Sequence, residues 1–189
     1  MIILLSGLSG AGKSTLSGHV KIQLAKSGLD TEIIDGDEYR NVICKDLSFS
    51  KADRMENLRR LGFIANKFSN RGIVAIISAI SPYDEVRQEL MNRYDNVKVV
   101  HIDCPIQKLI ERDTKGLYKR ALLPSGHPDK IHNLTGVNDV YEIPCNPDLY
   151  INTANNGLQK SVYLLSSFII ENHYYPDHVF LNNIAQISA

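Results

Sequence analysis

Gly7-Leu8-Ser9-Gly10-Ala11-Gly12-Lys13-Ser14, followed by Thr15, has the form G-x-x-x-x-G-K-[ST]. The chemistry such a run supports is polyphosphate binding. Successive backbone N–H groups of the loop converge on phosphate oxygens, and the start of the following helix adds a favourable dipole. Lys13 would reach the β- and γ-phosphates, and the Ser14 hydroxyl would complete the shell of a Mg²⁺ ion. A tight strand-to-helix turn accounts for the glycines but not for the adjacent Lys-Ser. The chain is therefore expected to bind a nucleoside triphosphate with Mg²⁺. The guanine-reading N-K-x-D motif does not occur, and 189 residues leave little room for a mechanical module beside a nucleotide domain. A small-molecule kinase leads over a GTPase switch or a motor.

A kinase needs an acceptor site. Asp35-Gly36-Asp37 closes an apolar run at the edge where ligands bind in open α/β sheets. Asp37 can accept a hydrogen bond from an attacking hydroxyl and approach the Mg²⁺ shell, or it can simply cap a turn. Arg40, Arg54 and Asn57 offer donors to an oxyanion; for the last two a solvated helix face is the alternative. Phe49 is a base-stacking platform or ordinary core. Ser81-Pro82-x-Asp84 reads as a helix start with Ser81 as N-cap.

The elements that must hold these residues alternate. Ile2–Leu5, Glu32–Asp35, Ile73–Ile77, Val97–Ile102 and Leu149–Ile151 are apolar strand candidates. The first is followed by a helical pattern through Leu16, Val20 and Leu24 that stops near Gly28. A long helix opens at Ser50 and Asp53 and carries the stripe Met55, Leu58, Leu61, Ala65 and Phe68; a last helix spans about Leu158 to Ile170. Near-continuously apolar strands, each followed by a helix, mean a parallel sheet covered on both faces. Residues 115–147, with four Pro and weak periodicity, read as a lid or binding loop, and 173–189 as a tail of no evident role.

Composition removes other classes. Lys+Arg and Asp+Glu both number 21, so the formal net charge is zero and the electrostatic footprint of a general nucleic-acid binder is missing. An apolar fraction of 43% argues for a real core, and no run reaches the roughly 18–20 apolar residues that span a bilayer. MIILLSG reads as a buried strand and not as a signal peptide. Cys44, Cys104 and Cys145 are sparse and unpaired in sequence, which fits a reducing, cytoplasmic setting; His127 and His132 find no third ligand at zinc spacing.

The order and content of the later motifs resemble the adenylylsulfate (APS) kinase family. DGDEYR, DLSFSKADRMENLRR, ISPY, ERDTKGLYK and TGVNDVYE stand over roughly residues 2–153 where that family has closely similar runs. The resemblance implies a three-layer α/β P-loop kinase fold with a parallel sheet of about five strands and a flexible lid, in one domain over residues 1–172. It implies transfer from MgATP to the 3′-hydroxyl of adenosine 5′-phosphosulfate, and a homodimer. It makes Asp37 the acceptor-side carboxylate and Arg40, Arg54, Asn57, Ile80, Lys115 and Asn133 acceptor ligands. Phe49 and the residue at 134 stack on the acceptor adenine, and Arg112 lies over the adenine of ATP. Ser81 takes the place of a serine labelled a phosphoserine intermediate, against which stands the helix-start reading. The chain departs from the family at Ala79 and Leu134, where Phe is usual, and in a longer loop over Leu122–His132. Two alternatives stay open: a kinase for another nucleotide diphosphate-like anion, and a non-catalytic nucleotide-binding regulatory subunit.

Overall fold

The computed structural model describes residues 1–174. Five strands, β1 (Ile2–Ser6), β2 (Thr31–Asp35), β3 (Val74–Ser78), β4 (Val97–Asp103) and β5 (Leu149–Asn152), form one sheet in the order β2-β3-β1-β4-β5 with every pairing parallel. Each lies within a few residues of its expected place. β1 and β3 are buried at every position, as a strand must be when helices cover both faces.

Side-chain alternation along β1 divides the core. Ile3 and Leu5 face α1 (Lys13–Lys26) and α7 (Gly157–Tyr174), meeting Leu16, Val20, Leu24, Leu165 and Phe168. Ile2 and Leu4 face α3 (Lys51–Ser69) and α4 (Asp84–Arg93), meeting Met55, Leu58, Leu61, Val86 and Leu90. The stripe read in the sequence is thus core. Ser50 caps α3, its hydroxyl accepting from the Asp53 N–H at 3.2 Å. Gly28, at φ 75, lies just beyond the end of α1. The last helix runs longer than expected and takes in His173 and Tyr174; the rest of the 173–189 tail lies outside the described residues.

Three helices differ from expectation. α2 (Gly36–Val42) starts directly after β2, because the Asp35 carboxylate accepts from the N–H groups of Asp37 and Glu38 at 2.9 and 3.4 Å. α6 (Leu117–Ala121) interrupts the irregular 115–147 stretch after α5 (Ile106–Arg112); Asp113 accepts from Tyr118 and Lys119 N–H at 3.0 and 2.8 Å. α4 corrects the reading of Ser81. The cap position is Tyr83, which makes no side-chain cap bond, and Ser81 has φ 50, in the left-handed region. The first N–H of α4, on Asp84, is instead satisfied by the Glu142 carboxylate at 2.6 Å.

β1 lies at the centre, with the chain running out through β2 and β3 on one side and β4 and β5 on the other. The crevice at its carboxyl end is where such sheets bind ligands.

Candidate active site

Residues 7–12 link β1 to α1 at that crevice. A Cβ at Gly7 would sit 2.3 Å from the Ile102 carbonyl oxygen, so only glycine lets the loop cross β4 there. The loop is braced from three sides. Gly7 N–H donates to Ile80 O at 3.1 Å, Tyr118 Oη to Ser9 O at 2.8 Å, and Thr153 Oγ1 lies 3.0 Å from Ala11 O. Burial pushes the Tyr118 phenol up to about 12, so it stays a donor.

Lys13 is buried at the head of α1, its Nζ donating to Gly7 O and Leu8 O at 2.8 and 2.9 Å. Desolvation lowers its pKa to about 8; Asp37 and Asp35 pull it up and Lys115 pushes it down. Ser14 donates to Asp35 Oδ2 at 2.7 Å and lies 3.2 Å from Ser78 Oγ. One carboxylate therefore caps α2 and holds the hydroxyl expected at a magnesium ion. No sequence role falls to Asp35 in the expectations above, although its place at the end of β2, two residues before Asp37, is the signal that could have found it.

A cavity of about 680 Å³ opens from this loop to the acceptor side. Ser9, Gly10, Gly12, Lys13, Ser14 and Thr15 line its phosphate end, and Asp37, Arg40, Phe49, Arg54, Ile80, Lys115, Asn133 and Leu134 its other walls. Lys115 Nζ reaches Asp37 Oδ2 at 2.5 Å, joining the segment after α5 to the start of α2. Phe49 is 51% exposed, with the guanidinium carbons of Arg40 and Arg54 at 4.7 and 5.4 Å from its ring centre. An aromatic face left open between two cations is not ordinary core. Arg54 donates to Phe49 O at 2.9 Å and Asn133 O at 2.6 Å and pairs with Asp139 at 3.1 Å, so it ties opposite walls together. Leu134 is 6% exposed and belongs to the core cluster as well as the cavity wall. Ala79 also lines the cavity, its Cβ 3.0 Å from where a Cβ on Gly36 would be.

Some expected residues are not brought to the cavity wall. Gly7, Leu8 and Ala11 form the back of the phosphate loop, with Leu8 against Gly136. Asn57 and Ser81 are buried behind the wall, each with a side-chain oxygen, Oδ1 and Oγ, that has no hydrogen-bond partner. Arg112 is exposed at the end of α5, Nη1 lying 3.9 Å from Cys104 Sγ. Thr114 and Thr135 do line the cavity and carry no sequence signal beyond their neighbours. Among the described residues no cluster of His, Cys, Asp and Glu could hold a metal by itself, and no helix is long and apolar enough to cross a membrane.

The family model for adenylylsulphate kinase matches residues 1–152. An adenylyl-sulfate kinase from Microcystis aeruginosa is 42% identical over 158 residues, which cover 84% of this chain and 84% of that one. One from Deinococcus deserti is 42% identical over 161 residues, covering 85% and 86%. Among solved structures, the Mycobacterium tuberculosis APS kinase CysC in complex with AMPPNP and APS superposes with a TM-score of 0.80 at 32% identity, over 89% of this chain and 96% of that one.

Proposed function

Since this chain belongs to the adenylylsulphate kinase family, we propose that it transfers the γ-phosphoryl group of ATP to the 3′-hydroxyl of adenosine 5′-phosphosulfate, giving 3′-phosphoadenylylsulfate. The observation that carries this reading is the position of Asp37. It lines the same cavity as the phosphate loop, acts on the charge of Lys13, and pairs with Lys115 on the acceptor side. A phosphate-binding lysine and an acceptor carboxylate within one field are what in-line transfer requires.

In this mechanism the 7–12 backbone and Lys13 hold the β- and γ-phosphates. Asp37 takes the hydrogen bond of the attacking hydroxyl and orients it, while Lys115 holds that carboxylate in place. Arg40 and Arg54 receive the phosphosulfate, and the open face of Phe49 stacks on the acceptor adenine against Leu134. Ile80 and Asn133 shape the wall around it. Asn57 and Ser81 act from behind the wall, so Ser81 carries no phosphoryl group. Arg112 covers the adenine of ATP. Ser14 Oγ and the Asp35 carboxylate are hard oxygen donors that fit Mg²⁺, which keeps few protein ligands and arrives with the nucleotide. Ser14 and Asp35 would hold that ion, which would supply positive charge to offset the charge that develops on transfer. Residues 1–172 form one catalytic domain, with 115–147 as the lid.

The buried free thiols Cys44 and Cys104 support a cytoplasmic setting. A homodimer is part of the proposal; an APS kinase of Thiobacillus denitrificans is hexameric, and sedimentation of the purified chain decides between them. Ala79 and Leu134, both on the wall, favour one other reading, a kinase for a different nucleotide diphosphate-like anion. A coupled ADP-release assay with APS against other nucleotide anions separates the two. APS-dependent ADP release at the lowest KM is expected; a lower KM for a different anion refutes APS as the acceptor.

A further inference from the structure

Arg87 is 1% exposed, on a helix whose other buried residues are Val86 and Leu90. A guanidinium is not placed in such a site without partners, because desolvation of an unpaired charge is far more costly than burying a leucine. Its partners come from two different segments. Nη1 donates to Ser81 O at 2.7 Å, Nη2 to Glu142 O at 2.8 Å, and Nη2 and Nε meet Asp84 Oδ1 at 3.1 and 3.3 Å.

Each of those carbonyls belongs to a segment that also supplies residues to a wall of the cavity. Ser81 has the left-handed φ of 50 and follows Ile80, which lines the cavity and whose own carbonyl takes the Gly7 N–H. Ser6 Oγ reaches the Ser81 carbonyl too, at 3.2 Å, and lies 3.0 Å from Tyr141 Oη. Glu142 closes the run that begins with the wall residues Asn133, Leu134 and Thr135. It is fastened to the other segment twice more, by Glu142 N–H to Pro82 O at 2.8 Å and by its carboxylate to Asp84 N–H. Ser81, Pro82, Asp84, Arg87 and Glu142 themselves do not line the substrate cavity.

We infer that Arg87, with Glu142, is a positioning residue: it clamps the strained Ile80–Ser81 turn to the 133–142 segment and so fixes two walls of the acceptor pocket in mutual register. This rests on the acceptor reading above for what the pocket holds, but not for the clamp itself. A planar fork with donors pointing in two directions can hold two carbonyls at once. Lysine, a single point charge on a flexible stem, cannot reproduce that geometry. The phosphate loop keeps its separate braces at Tyr118 and Thr153, so its grip on ATP should survive.

The test uses the full chain and its Arg87→Lys and Glu142→Gln variants. In Arg87→Lys the KM for APS should rise about tenfold with the KM for ATP within about twofold; Glu142→Gln should show the same split at about threefold. Amide hydrogen exchange should quicken about tenfold across 79–83 and 133–142 and stay unchanged in β1 and α1. Millimolar guanidinium added to Arg87→Ala should restore part of the loss. Parallel rises in both KM values, or unaltered exchange in a folded variant, overturn the clamp. If Arg87 variants do not fold, the split in Glu142→Gln decides alone, and its absence overturns the proposal. If wild-type protein ignores APS, the function reading fails, while the exchange measurement still decides the clamp.

Discussion

The ionisation of Lys13 makes a sharp prediction about pH. Burial in the loop lowers this ammonium to about 8 from its usual 10.5, with Asp37 and Asp35 offsetting part of the desolvation and Lys115 adding to it. In the free protein Lys13 is thus about 90% charged at pH 7, half charged near 8, and about 10% charged at pH 9. ATP binding needs the charged form, and bound phosphates favour it, so the two kinetic parameters part company. The value of kcat/KM for ATP reports the free enzyme, and kcat the complex. The former should bend near pH 8 and then fall toward tenfold per pH unit, about 100-fold lost by pH 10, while kcat stays level over the same range. Steady-state rates at saturating acceptor, in buffers of constant ionic strength, measure both. Lys13→Arg, whose charge persists throughout, should lose the bend even if its rate is low. Asp37→Asn removes the largest charge that supports the ammonium and should move the bend below 8. A wild-type profile flat to pH 10, or the same bend in Lys13→Arg, refutes the assignment.

Further outcomes follow from the same geometry. At about pH 6, where Lys13 stays charged in the variant as well, Asp37→Asn should lower kcat by about 100-fold or more with the KM for ATP nearly unchanged, since its interaction is with the hydroxyl; an equal loss of ATP affinity in binding titrations at that pH would make it chiefly a metal ligand. Ser81→Ala should keep measurable turnover, and phosphoserine should be absent from wild type after turnover with labelled ATP. Because the Ser81 hydroxyl is buried without a partner and caps nothing, the variant should be no less stable by thermal melting, where loss of a cap would cost about 0.5–2 kcal/mol. Leu134→Phe adds a stacking face worth about 1–3 kcal/mol per base. It should lower the KM for APS several-fold and leave that for ATP alone; no gain would mean that the leucine belongs to a reshaped pocket.

What could be read from the sequence was what short stretches of chain decide. The Gly7–Ser14 loop, the strand before it and the helix after it lie within residues 2–26, and each is specified by its own pattern. The α3 stripe and its Ser50 cap are of the same kind, and both stand as expected. Burial on both faces also made β1 and β3 plain, because it erases alternation and leaves continuous apolar runs. The residues proposed for the acceptor were picked by likeness of motif, and only some of them share a cavity wall. Arg54 lines the cavity while Asn57, one turn later on the same helix, turns behind it.

The misread start of α4 shows where local patterns stop. Ser-Pro-x-Asp satisfies every local rule for a cap, yet the hydroxyl of Ser81 caps nothing. The carboxylate that meets the first N–H belongs to Glu142, 58 residues on. A cap supplied from a distance does what a serine cap cannot: it makes the helix end depend on the 133–142 segment, whose first residues line the cavity. The same holds for Lys115 with Asp37, 78 residues apart, and for Arg54 with Asn133, 79 apart. Each of these bonds replaces a nearby partner with one across the site. A phosphate loop can be specified locally because phosphate is recognised by backbone N–H groups that any glycine-rich turn presents. An acceptor pocket must hold a particular shape, and shape is fixed only where distant segments constrain one another.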